Sequence, residues 1–94
     1  MSFRRAARVD ANQAEIVKEF RRFGWYVLII SQLKNCCDII VSKNYRTVAI
    51  EIKDGNKPKS AQKLSEGELK FKDEWKGEYR LVNCIEDVLR VNNE

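Results

Sequence analysis

Three charged side chains in this sequence have the types and spacing to do chemistry together: Asp38, Glu51 and Lys53. In the stretch TVAIEIK, Val48, Ile50 and Ile52 alternate with Ala49, Glu51 and Lys53. A strand reverses its side chains at every residue, so Glu51 and Lys53 share one face. Asp38 opens the preceding β-prone run DIIV, which brings its carboxylate to the same end of the sheet. Hydrolysis of a phosphodiester needs a divalent cation against a non-bridging oxygen, an aimed water, and positive charge to offset what builds on phosphorus. Magnesium takes oxygen ligands and keeps several of its waters, so Asp38, Glu51 and the main-chain carbonyl of Ile52 would be sufficient. Lys53, a point charge on a flexible stem, would hold the attacking water or a phosphate oxygen. A Glu-x-Lys pair also arises by chance on any solvated strand face, and a purely structural reading stays open on spacing alone.

The elements that must position these residues can be read from periodicity. Ile16, Val17, Phe20 and Phe23 recur on one helical face, giving a first helix from about Asn12 to Phe23, with Asp10 and Gln13 as a capping box and Gly24 as its stop. Glu15 lies at the flank of that stripe, where it can point along a cleft. WYVLII reads as a strand buried on both sides; DIIV and TVAIEIK follow as two more, joined by the turn SKNYR. A lysine-rich loop, DGNKPKSAQK, leads to a second helix capped by Ser65 and Glu68, with Leu64, Phe71 and Trp75 as its apolar stripe. Trp75 is assigned to the core on that basis. EYRLVN is a last short strand, and Asn83 with Glu86 caps a final helix that packs Ile85, Val88, Leu89 and Val91 inward. The order is α-β-β-β-α-β-α, an α/β domain.

Composition narrows the function classes. At 94 residues the chain makes one domain, 1–94, with a basic arm at 1–9. With no histidine, imidazole base catalysis is excluded and an ordinary zinc site is disfavoured. Three cysteines, two of them adjacent at Cys36 and Cys37, make no disulfide framework and no CxxC pair. WYVLII is too short to span a bilayer and no apolar run serves as a leader, so a cytoplasmic protein is expected. A formal charge of +4 favours a polyanionic partner. Arg4, Arg5 and Arg8 in the arm, and Lys57, Lys59, Gln62 and Lys63 in the loop, are the candidates for contacts to a DNA backbone.

NCCDIIV followed by VAIEIKDGNKPKSAQKLSEGELKF resembles the PD-(D/E)XK nucleases, in particular small phage and bacterial proteins similar to Holliday-junction resolvases or of the VRR-NUC type. In that superfamily a proline-aspartate opens one hairpin strand and an acid-x-lysine closes the next. The resemblance implies a restriction-endonuclease-like core, a mixed sheet flanked by helices. It also implies a magnesium-dependent endonuclease, with manganese as a substitute, acting on DNA that is often branched, frequently as a homodimer. It assigns Asp38 and Glu51 to the metal, Lys53 to the nucleophile, and Glu15 to an accessory role. Two positions depart from the pattern. Cys37 stands where the motif has proline, and Glu68 stands where many relatives have glutamine, either altering how the second helix meets the cleft or only completing its cap. The rival readings are a non-catalytic nucleic-acid-binding module of the same fold and a protein-interaction domain.

Overall fold

The computed structural model describes residues 10–94; Arg4, Arg5 and Arg8 of the basic arm lie outside the described residues. The order is α1 (Gln13–Arg22), β1 (Tyr26–Ile29), β2 (Ile39–Lys43), β3 (Arg46–Ile52), a 3-10 turn (Lys59–Gln62), α2 (Glu66–Glu74), β4 (Glu78–Val82) and α3 (Ile85–Asn93). The four strands form one mixed sheet in the order β1-β2-β3-β4, with β1, β2 and β3 antiparallel in turn and β4 parallel to β3. The α-β-β-β-α-β-α order read from periodicity is the order observed. Among the described residues no helix is long and apolar enough to cross a membrane.

One face of the sheet carries the core. Val27, Ile39, Val41, Val48, Ile50, Ile52 and Val82 meet Ile16, Val17 and Phe20 of α1 and Val88 and Val91 of α3. The α1 stripe follows the 3.6-residue period, and Gly24, at φ +91°, lets the chain turn back into β1. Trp25 is buried, sets its ring edge-on to Phe20 at 5.8 Å, and donates its indole N–H to Asn92 at 3.0 Å.

Four expectations need correction. WYVLII is not buried on both sides: β1 is an edge strand, and Tyr26 and Leu28 on its outer face are 69% and 48% exposed. An apolar run looks the same at the centre and at the edge of a sheet. The N-cap of α1 is Asn12 and no side chain caps it; Gln13, instead of closing a box with Asp10, is buried and donates its amide to Ser31 at 3.1 Å. At α3 the bond also runs otherwise: Asn83 N–H donates to the Asp87 carboxylate at 3.0 Å, and Cys84 is the N-cap. Ile85 and Leu89 remain largely exposed, because only Val88 and Val91 of α3 face the sheet.

The β2–β3 hairpin closes on a two-residue turn in which Asn44 and Tyr45 both take the left-handed conformation, at φ +53° and +66°. Such a turn matches the twist of the strands and fixes the pairing of Lys43 with Arg46. These two cations then finish the helix ends. Lys43 donates to the carbonyl of Phe23 at 2.7 Å, beyond α1, while Arg46 donates to the carbonyl of Val91 at 2.7 Å and grips Glu78 at 2.9 Å. Substitution Arg46→Ala strips the Val91 carbonyl of its partner and leaves Glu78 with Arg80 alone, and should destabilise the domain by roughly 1–2 kcal/mol in urea denaturation. Arg46→Lys should recover less than half of that, since an ammonium cannot serve both acceptors as the fork does.

Candidate functional site

Hairpin register decides what faces what. Ile39 pairs with Ile50, and the Asp38 N–H, just ahead of β2, donates to the same Ile50 O at 3.1 Å, so Asp38 is held at the end of the hairpin beside Glu51. The two carboxyl groups are close enough to hydrogen-bond and for the charge of one to act on the other. Lys53 follows on the same face, its Nζ 4.0 Å from Glu51. The structure thus brings Asp38, Glu51 and Lys53 together.

Each member is held differently. Asp38 is half-buried and accepts the Ile52 N–H at 2.7 Å. In an extended strand a residue's N–H and C=O point to the same edge, so the Ile52 carbonyl also faces the Asp38 side. Burial raises the Asp38 pKa, with the Ile52 hydrogen bond working against it. Glu51 is 2% exposed. Burial, and then the charge of Asp38, push its carboxyl up to about 10, so it carries a proton at neutral pH unless a cation reaches it.

Lys53 behaves in the opposite way. Burial is the largest single effect and works against its charge, but the hydrogen bond to Glu68 and the charges of Glu68, Glu51 and Asp10 together outweigh it, and the pKa is raised. The Lys53–Glu68 ion pair measures 2.9 Å, and both side chains are mostly covered. Lys53 is therefore held as a cation, not poised as a base. Burial likewise opposes the charge of Glu68, and Lys53 and the Ser65 N–H together hold its pKa below the ordinary value.

Glu68 is the residue whose reach the sequence did not disclose. The capping box with Ser65 is present as expected, with Ser65 N–H donating to the Glu68 carboxylate at 2.8 Å and Glu68 N–H to Ser65 Oγ at 3.2 Å. The same carboxylate also closes the loop 54–65 onto Lys53. The exposed Lys57, Lys59 and Lys63 consequently sit on a loop whose two ends meet at the cluster. Gln62 has both ends of its amide occupied, donating to Lys57 O at 2.6 Å and accepting from Asn83 at 3.2 Å, so here it fastens that loop.

Glu15 is not brought to the cluster. It is exposed and lines a hollow with Asp54, Asn83 and Glu86. The early acid whose charge reaches Asp38 and Lys53 is Asp10, ahead of α1. Tyr79 was also missed: it pairs with Ala49 on the Glu51 face, its hydroxyl is buried without a partner, and burial followed by the Glu51 charge raises its pKa. Cys37 is buried, and its thiol, pushed up to about 12 chiefly by burial, is no nucleophile.

Among the described residues no set of three or more histidine, cysteine, aspartate or glutamate side chains forms a ready cation cage. The set Asp38, Glu51 and the Ile52 carbonyl has two such side chains and one main-chain oxygen, and suits a hard cation that keeps its waters. The donors are all oxygen, and a cation at Glu51 would relieve the charge suppression that burial and Asp38 impose. On donor chemistry, the residues fit magnesium or manganese. No family model matches the chain, and searches of curated proteins and of solved structures likewise find no match.

Proposed function

We propose that this chain is a metal-dependent endonuclease of the PD-(D/E)XK type, built on a restriction-endonuclease-like core and hydrolysing phosphodiester bonds in DNA. The observation that carries the reading is the adjacent pair of a half-buried Asp38 and a buried Glu51 at one sheet end, beside a lysine held in its charged form. A strand face that merely met solvent would expose its acids; covering them beside one another costs stability that a bound cation would offset. Asp38, Glu51 and the Ile52 carbonyl would hold magnesium, with manganese able to substitute; the metal would supply Lewis acidity and an acidified water.

The chain's own groups do the rest. Asp38 keeps its orientation through the Ile52 amide, and Lys53 offers its ammonium to the phosphate oxygen or the attacking water. Occupation of Lys53 by phosphate would compete with Glu68, which remains anchored by its cap. Lys57, Lys59 and Lys63 would track the phosphate backbone and give salt-sensitive affinity without reading bases. Glu15 takes no ligand role in this reading, because it lies in another hollow. A symmetric homodimer, placing two sites on two strands, suits a domain of this size and branched substrates.

The test is an assay of the wild-type protein on duplex, single-stranded, flap and four-way-junction DNA with magnesium, manganese or chelator. Cleavage with either metal and none with chelator is expected, and sedimentation at micromolar concentration should show dimers. Binding that ignores the metal, with no cutting of any substrate, would replace this reading by a non-catalytic binding module.

A further inference from the structure

We propose that the groove between α2 and the loop before Asp38 receives an unpaired base of a DNA strand whose phosphate lies on the Asp38–Glu51–Lys53 cluster. The inference rests on the nuclease reading for what binds at the cluster, and it adds the form of substrate the site accepts. α2 has no buried residue. Phe71 and Trp75, expected in the core, are half-buried and stack on one another with centroids 5.4 Å apart and planes at 25°. With Gly67, Lys70 and Glu74 of the same helix and Asn35 of the loop before Asp38 they line a groove of about 430 Å³, in which the one acid is matched by one lysine. That volume lies within the range of single small-molecule sites and admits one nucleoside, not a duplex.

The groove is continuous with the cluster along both walls. Gly67 immediately precedes Glu68, which grips Lys53, and Asn35 lies three positions before Asp38 in sequence. Glu68 and Phe71 stand three positions apart on one face of α2, about 5–6 Å from each other, and Trp75, the C-cap of the helix, stacks on Phe71. A strand leaving the cluster along that face meets aromatic surface next. Phe71 also adjoins Tyr79, at 6.4 Å, which extends the aromatic row back toward Glu51.

The polar features suit a base. Asn35 takes the left-handed conformation at φ +57°, and its side-chain amide rests so close on Gly67 that a Cβ there would lie 1.9 Å from its oxygen. That amide carries both donors and an acceptor at the groove, as the edge of any base requires. Lys70 supplies a cation for the next phosphate. The other hollow beside the site, lined by Glu15, Asp54 and Glu86 with no lysine or arginine, would repel a phosphate. The strand is thus directed to α2.

Binding of a labelled twelve-nucleotide single strand and of a twelve-base-pair duplex should be measured by anisotropy in calcium, for wild type, Trp75→Leu and Trp75→Phe. Trp75→Leu should weaken single-strand binding about tenfold. Duplex binding should change less than about twofold, since its bases stay stacked, and Trp75→Phe should recover most of the loss. The far-UV spectrum of each variant separates lost stacking from a lost helix. Equal weakening toward both DNA forms, or no change toward either, would overturn the groove. Strand binding that depends on Trp75 in a protein that cuts nothing would keep the groove and remove hydrolysis; cutting that ignores Trp75 would do the reverse.

Discussion

Glu51→Gln should abolish metal-dependent cleavage and at the same time make the metal-free protein more stable. The two effects share one cause. Glu51 is 2% exposed and lies beside Asp38, and its carboxyl is pushed up to about 10 by burial and by that neighbour. The unfolded chain releases the Glu51 proton at an ordinary carboxylate pKa, whereas the folded chain retains it. Between those two values the native state binds more protons than the unfolded state, so stability falls as pH rises. Glutamine fills the same volume and has no proton to lose. The variant should therefore gain on the order of 1–2 kcal/mol at pH 8, or about 5–10 °C in melting temperature for a domain of this length. Near pH 4, where Glu51 is protonated in both states, the difference should vanish.

Magnesium should reverse the ranking. A cation at Glu51 binds the charged form, so it should raise the melting temperature of wild type increasingly with pH and leave the glutamine variant nearly unmoved. Cleavage should fall by two or more orders of magnitude, as expected when a charge that organises the transition state is removed. Thermal melts at three pH values, with and without magnesium, check the whole set. A variant that is less stable than wild type at pH 8, or one that gains equally from magnesium, would refute the role given to Glu51.

How much of this could be read from the chain depends on how local each cause is. The placement of Glu51 and Lys53 on one face follows from alternation over seven residues, and the hairpin turn then brings Asp38 to the same end of the sheet. Those relations are short-range, and they were legible. Glu68 was legible only as a cap, because its second partner, Lys53, depends on where the loop 54–65 returns. The β1 run misled because hydrophobicity records neither strand order nor which face is covered: among the described residues β1 is an edge strand, and Tyr26 and Leu28 lie on a face left exposed. Glu15 and Asp10 differ by five positions, and the choice between them turns on the start of α1. Gln13 settles that start by burying its side chain against Ser31, a contact across eighteen residues that no periodicity encodes. Trp75 shares the helical spacing of a core residue, yet α2 lies over the sheet end that carries the charged cluster, where there is no core to enter.

Gly55→Ala should be the most damaging alanine substitution in the loop that leaves the site, although it adds a single methyl group. A Cβ at Gly55 would lie 2.6 Å from the backbone oxygen of Asn83. That oxygen cannot swing aside. It accepts the Gly55 N–H at 3.0 Å and the Asn12 amide at 3.3 Å, while the Asn12 amide also reaches Lys53 O at 3.1 Å. Asn83 is fixed from its other side by the Asp87 carboxylate and by Gln62. The junction of α1, β3 and β4 must therefore open to admit the methyl, at roughly 2–3 kcal/mol, which lowers the melting temperature by about 10 °C or more. Gly67→Ala provides the contrast. Its Cβ meets a nearer atom, but that atom is the end of the Asn35 side chain on an exposed loop, which can rotate away. Its loss should stay below about 1 kcal/mol. Because Lys53 lies two residues before Gly55, the Gly55→Ala protein should also bind magnesium more weakly in calorimetric titration well below its own melting point. A change of less than about 2 °C, or an equal loss in both glycine variants, would mean that the Asn83 junction yields more easily than its hydrogen bonds imply.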